Sequence, residues 1–132
     1  MIFLDASVVI AHFASHDAHH DAATAFLREC VDETLLVHAL TLTEILVGPL
    51  RAGQETFMLH QLDELGVTEW MPPAGSAARL ARLRVDTGLK LPDCCVLDAA
   101  IETSSTLATF DERLACAAAS IGVDVVVPGA SA

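Results

Sequence analysis

Residues 2–13 read IFLDASVVIAHF, and the fourth residue of that stretch decides how the rest of the chain is read. Ile2, Phe3 and Leu4 are an apolar run, expected as a buried strand over Ile2–Asp5. Val8, Val9 and Ile10 are the apolar part of a helix expected over Ser7–Ala14. Asp5 lies between them. A carboxylate leaving a buried strand must be hydrogen-bonded, paired with a cation or kept at the edge of the core. Asp5 therefore reads either as a helix cap or as a metal ligand.

Outward from this stretch the chain alternates strand and helix. Strands are expected at Leu35–His38, Val67–Trp70, Leu107–Thr109 and Val123–Val127. Helices are expected at Asp21–Cys30, Thr41–Arg51, Gln54–Leu65, Ser76–Thr87, Asp93–Ile101 and Glu112–Ser120. Gly48-Pro49 is expected to kink or end its helix, and Pro92 to open the one that follows it. Short apolar strands separated by helices predict an α/β fold with a parallel sheet covered on both faces. With 132 residues and no repeat, low-complexity tract or linker, the whole of 1–132 reads as one domain.

Composition narrows the function. Hydrophobic residues make up 53% and charged ones 19%, a profile that excludes a disordered chain. No apolar run approaches the roughly 18 residues of a membrane span. The start of the chain lacks the basic region of a signal peptide, so a cytoplasmic protein is expected. Cys30, Cys94, Cys95 and Cys116 form no metal-finger spacing and are expected as small buried hydrophobes. The formal net charge of −11 argues against a general nucleic-acid binder and suits a cation site or a basic protein partner.

Four acids share a position in the predicted fold. Asp5 and Asp111 follow strands, Glu44 falls in the first turn of a predicted helix, and Asp93 and Asp111 each begin one. Strand C-termini and helix N-termini meet at one edge of a parallel sheet, the edge where such folds place ligand sites. Taken singly, each acid has a local explanation. Thr41 and Glu44 fit a capping box, and Asp5, Asp93 and Asp111 fit helix caps. Taken together, the choice of an acid at every position is unexplained, because Ser, Thr or Asn caps as well without charge. Clustered carboxylates either rise in pKa or bind a cation, and an oxygen-only set favours Mg2+ or Mn2+. Asp98, five residues beyond Asp93, is expected to face elsewhere, with an outer role at the site left open. Asp21 reads as a cap.

The stretches DAS at 5–7, TLTEILVGPLR at 41–51, LPDCCVLDAAI at 91–101 and TFDERLA at 109–115 together resemble the motifs of PIN-domain ribonucleases. The VapC-type toxins of bacterial toxin–antitoxin modules are the most similar group. The resemblance spans essentially the whole chain and implies a single PIN-like domain, with a five-stranded parallel sheet flanked by helices on both sides. It implies RNA cleavage dependent on Mg2+ or Mn2+, with Asp5, Glu44, Asp93 and Asp111 as the metal-binding, catalytic acids. Ser7 and Thr109 match positions where a small hydroxyl supports those acids. Asp98 departs from the family, which more often has a small apolar residue there. A cognate antitoxin that blocks the acidic groove and a homodimer are implied in the same way.

Arg79, Arg82, Lys90 and Arg113 are candidates for RNA contact, with Arg84 nearby; a solvated helix face is the plainer explanation. His16, His19 and His20 read as a polar loop between helices, and His12, His38 and His60 as structural. Two other readings compete with the nuclease. One is a catalytically weak scaffold of the same fold that acts through protein contacts. The other is a different acidic-pocket α/β protein. A haloacid-dehalogenase-type phosphatase wants a second Asp where Ser7 stands. A receiver domain wants a lysine after a late strand, whereas Lys90, the only lysine, precedes a helix.

Overall fold

The computed structural model describes residues 1–130. Within them β1 (Ile2–Leu4), β2 (Leu35–His38), β3 (Val67–Trp70), β4 (Thr106–Ala108) and β5 (Val125–Val126) form one sheet. Its order is β3-β2-β1-β4-β5 and every pairing is parallel. The intervening helices are α1 (Ala6–Phe13), α2 (His20–Glu29), α3 (Ala39–Arg51), α4 (Glu55–Glu64), α5 (Ser76–Thr87), α6 (Leu91–Thr103) and α7 (Glu112–Ser120). This is the α/β architecture expected.

Strand alternation divides the interior into two cores. Ile2 and Leu4 of β1, with Leu35 and Val37 of β2, pack on Val8 and Val9 of α1 and Leu27 of α2. Phe3 and Leu36 point the other way, onto Val96 and Leu97 of α6 and Leu114 of α7. Trp70 closes that second core edge-to-face on Phe3, with ring centroids 5.7 Å apart. A strand buried on both faces must be apolar, as β1 is throughout and β2 is up to its last residue, His38.

Chain order decides where a site forms. From β1 the sheet grows to one side through β2 and β3, and to the other through β4 and β5. The switch point lies between β1 and β4, where diverging connections leave a crevice beyond the strand C-termini. Asp5 follows β1 there, and Thr109 follows β4.

Several boundaries differ from expectation for local reasons. α3 starts at Ala39, because the His38 ring Nδ1 accepts the Leu40 N–H at 2.9 Å and caps the helix. Thr41 is therefore inside the helix, the Thr41–Glu44 capping box does not form, and Glu44 sits in the second turn. The same helix runs through Pro49 to Arg51. α6 begins at Leu91, which places Asp93 in the first turn and not at the cap. In α2, Asp21 is a first-turn acid and His19 holds the cap position. β5 is shorter than Val123–Val127 because the Val123 N–H bonds to Ala118 at the end of α7. Cys30 and Cys94 are buried as expected, whereas Cys116 is exposed.

Candidate active site

Asp5 has the backbone conformation of a helix cap, yet its side chain makes no cap bond. Instead Oδ2 accepts from Ser7 Oγ at 2.7 Å and from Thr109 Oγ1 at 2.8 Å. The hydroxyls are themselves fixed. Ser7 Oγ accepts the Phe110 N–H at 3.1 Å, and Thr109 Oγ1 accepts the Asp111 N–H at 3.0 Å. Among the described residues no fully buried side-chain polar atom is left without a partner, so Asp5 Oδ1, which takes no hydrogen bond, keeps some access to solvent. A group only 8% exposed is held by one oxygen and presents the other.

The remaining three acids surround it. Asp111 is a genuine cap, its Oδ1 accepting the Leu114 N–H at 3.0 Å. Asp93 is half-buried and lines one hollow with Asp111, Lys90 and Arg113. Burial raises the Asp93 pKa, the charges of Asp111 and Asp5 raise it further, and Lys90 and Arg113 oppose them. Glu44 lies on the exposed rim; partial burial lifts its carboxyl above the usual range, with Asp5 and Asp93 adding to the effect. Glu44 thus feels Asp5 and Asp93, and Asp93 feels Asp5 and Asp111, which links the four acids in a chain through Asp5 and Asp93.

The donor set is all oxygen, which suits a hard divalent cation. Among the described residues no three acidic, His or Cys side chains enclose an ion by themselves. An open carboxylate rim fits an ion that keeps several waters, as Mg2+ does, better than a closed protein cage.

The other candidates divide into two groups. Lys90 and Arg113 stand at the acid hollow. Arg79 and Arg82 line a separate pocket between α5 and α6, with Asp86, Asp98 and Glu102. There Arg79 Nε lies 2.9 Å from Asp98 Oδ1 and 3.1 Å from Glu102 Oε1, and its Nη2 reaches Asp98 Oδ2 at 3.3 Å. Arg79 is the counter-ion of Asp98 in this pocket. Arg84 is likewise engaged, with Nη1 on the carbonyls of Gly88 and Leu89 at the end of α5.

Sequence reasoning missed two aromatic side chains beside the acids. Phe110 lies between Thr109 and Asp111, and the His19 ring stacks on it at a centroid distance of 4.2 Å. The only sequence signal was the placement of Phe110 between two residues already singled out. His12 and His20 are structural, bonding through Nδ1 to Thr24 Oγ1 and to the Ala11 carbonyl, both at 2.9 Å.

A parallel sheet covered on both faces, with carboxylates gathered at its switch point, defines an acidic-site α/β protein. The PIN domain family model matches residues 2–119, and the chain belongs to that family. Among solved structures, a toxin–antitoxin complex from Klebsiella pneumoniae is similar at 25% identity and a TM-score of 0.77, covering 97% of this chain and 98% of that one. FitAcB from Neisseria gonorrhoeae is similar at 22% identity and a TM-score of 0.72, covering 97% and 98%. VapC20 from Mycobacterium tuberculosis, a sarcin-ricin loop cleaving toxin, is similar at 18% identity and a TM-score of 0.73, covering 97% and 100%. The last two bear on the fold alone. No curated protein matches the sequence.

Proposed function

We propose that this protein is a metal-dependent endoribonuclease toxin, with Asp5, Glu44, Asp93 and Asp111 holding Mg2+ or Mn2+ at the scissile phosphodiester. The observation that carries the reading is the meeting of these four acids around Asp5, whose Oδ2 is tied by Ser7 and Thr109 while Oδ1 is free. Carboxylates that only capped helices would not need to stand close enough to Glu44 and Asp93 to add to the rise that burial gives those two groups. A bound divalent ion would lower the pKa of a coordinated water and offset charge on the leaving oxygen. The chain's own part is to hold the acids in place, with Lys90 and Arg113 attracting phosphate beside them. Arg79 and Arg82, on the other pocket, are poorly placed for that task.

RNA as substrate belongs to the same reading, and an antitoxin partner is supported by similarity to the Klebsiella toxin–antitoxin complex. An apolar groove between α1, α3 and α4, lined by Ile10, Phe13, Ile45 and Met58, has Glu44 at its edge. It suits an antitoxin segment with an apolar face and a basic side chain that reaches the acids. A homodimer and a cytoplasmic location belong to the same reading. No helix among the described residues is long and apolar enough to cross a membrane.

The open spacing of the acids leaves one competing reading, a weakly catalytic scaffold that acts through protein contacts. Incubating purified, antitoxin-free protein with tRNA and rRNA in Mg2+, Mn2+ or EDTA separates the two. Discrete cuts that need metal and disappear in a folded Asp93→Asn variant are expected. Intact RNA across the panel would favour the scaffold.

A further inference from the structure

We propose that His19 is a stacking platform for an RNA base next to the scissile phosphate, an inference that rests on the ribonuclease reading above. Its ring lies nearly parallel to Phe110, with 10° between planes and 4.2 Å between centroids. Phe110 is anchored, half-buried against the α1–α2 core, and its N–H is bonded to Ser7 Oγ. One face of the imidazole is therefore covered, while His19 as a whole remains exposed.

The backbone that carries the ring is also held in position. The His19 N–H donates to Asp17 Oδ1 at 2.8 Å, and its carbonyl accepts the Ala23 N–H at 2.9 Å in the first turn of α2. A fixed backbone and a ring already stacked on Phe110 reduce the conformational entropy lost when a base settles on the open face. Its location joins it to the acids, because Phe110 is flanked by Thr109, which bonds Asp5, and by Asp111.

Charge gives the platform a purpose. Seven Lys and Arg stand against eighteen acids. Arg79 and Arg84 are consumed by internal contacts, and only Lys90 and Arg113 line the acid hollow. Phosphate attraction, the usual source of nucleic-acid affinity, is correspondingly small. Stacking on an aromatic face does not depend on net charge and accepts any base. The exposed His19 ring, backed by half-buried Phe110, supplies the affinity that the cations do not.

The test compares binding of a fluorescein-labelled 12-nucleotide oligoadenylate with a base-free ribose-phosphate 12-mer, both in Ca2+. For wild-type protein the oligoadenylate should bind more tightly. His19→Ala should weaken its binding by about 5- to 150-fold and leave the base-free strand unchanged. His19→Phe should restore most of the loss. Unchanged oligoadenylate binding in His19→Ala would overturn the platform, as would equal weakening of both strands, which marks a structural or charge effect. Wild-type protein that binds neither strand would overturn the platform alone, since the ribonuclease reading stands or falls on cleavage of the tRNA and rRNA panel.

Discussion

Thr109 Oγ1 donates a 2.8 Å hydrogen bond to Oδ2 of Asp5, joining the ends of β4 and β1 at the switch point of the sheet. The same oxygen of Thr109 accepts the Asp111 N–H, so one buried hydroxyl positions two of the acids.

Thr109→Val keeps the shape and removes both bonds. Leaving a buried carboxylate oxygen and a backbone N–H short of a partner costs about 1–3 kcal/mol. A lower urea midpoint at unchanged slope is expected, together with weaker Mn2+ binding. Ser7→Ala should be milder in stability, since Ser7 is only partly buried. A Thr109→Val protein as stable as wild type would show that the hydroxyl does not support Asp5.

The Arg79–Asp98 pair predicts a stability effect without an RNA effect. Asp98 is almost fully buried, and removing its partner leaves an uncompensated charge. Arg79→Leu should lower the unfolding midpoint clearly, and Arg79→Leu with Asp98→Leu should recover much of that loss. RNA affinity should be unchanged in the double variant. A large loss of RNA binding there would return Arg79 to the substrate path.

Lys90 and Arg113 predict the reverse. If each contacts a phosphate, Lys90→Ala and Arg113→Ala should each reduce the slope of log affinity against log salt by roughly 0.7 for single-stranded RNA. Folding midpoints should stay near wild type. Titrations between low and moderate salt read this directly, and an unchanged slope would remove that residue from the phosphate path.

His38 gives a pH dependence whose sign is fixed by geometry. Its Nδ1 must be unprotonated to accept the Leu40 N–H, and burial lowers its pKa, against the opposing charges of Asp98 and Glu69. The unfolded chain therefore binds more protons than the folded one below the ordinary histidine value of 6.5. The stability that His38 contributes is full above that value and is lost as pH falls through the folded pKa. His12, lowered first by burial and then by His20 and Arg28, acts in the same direction. His38→Asn retains a cap that cannot titrate. Urea unfolding at pH 7.5 and 5.5 should show a smaller loss in the variant than in wild type, by about 1 kcal/mol, the worth of a cap. Equal losses would contradict the assignment.

The sequence carried the fold through strand-length apolar runs, because β1 and β2 are buried on both faces and must be apolar. It also carried the edge on which Asp5, Glu44, Asp93 and Asp111 fall, since strand ends and helix starts coincide there. What it could not carry was tertiary. The Arg79–Asp98 pair depends on how α5 packs against α6, and spacing along either helix does not reveal it. The histidine cap of α3 was hidden because His is a rare acceptor in that position and Thr41 was the more familiar signal. The His19–Phe110 stack joins a loop to a strand end 91 positions away (110 − 19), beyond the reach of any local pattern.

If the four acids form one divalent-cation site, Mn2+ binding must depend on Asp5. Calorimetric titration of Mn2+ into metal-free wild-type protein and into Asp5→Asn measures it most directly, with circular dichroism confirming that the variant is folded. Saturable binding is expected in wild type and at least a tenfold loss in Asp5→Asn, because Asp5 Oδ1 takes no hydrogen bond within the protein and is left to a cation. Equal Mn2+ affinity in the two proteins would contradict it, and Asp5 would then be a structural carboxylate held by Ser7 and Thr109.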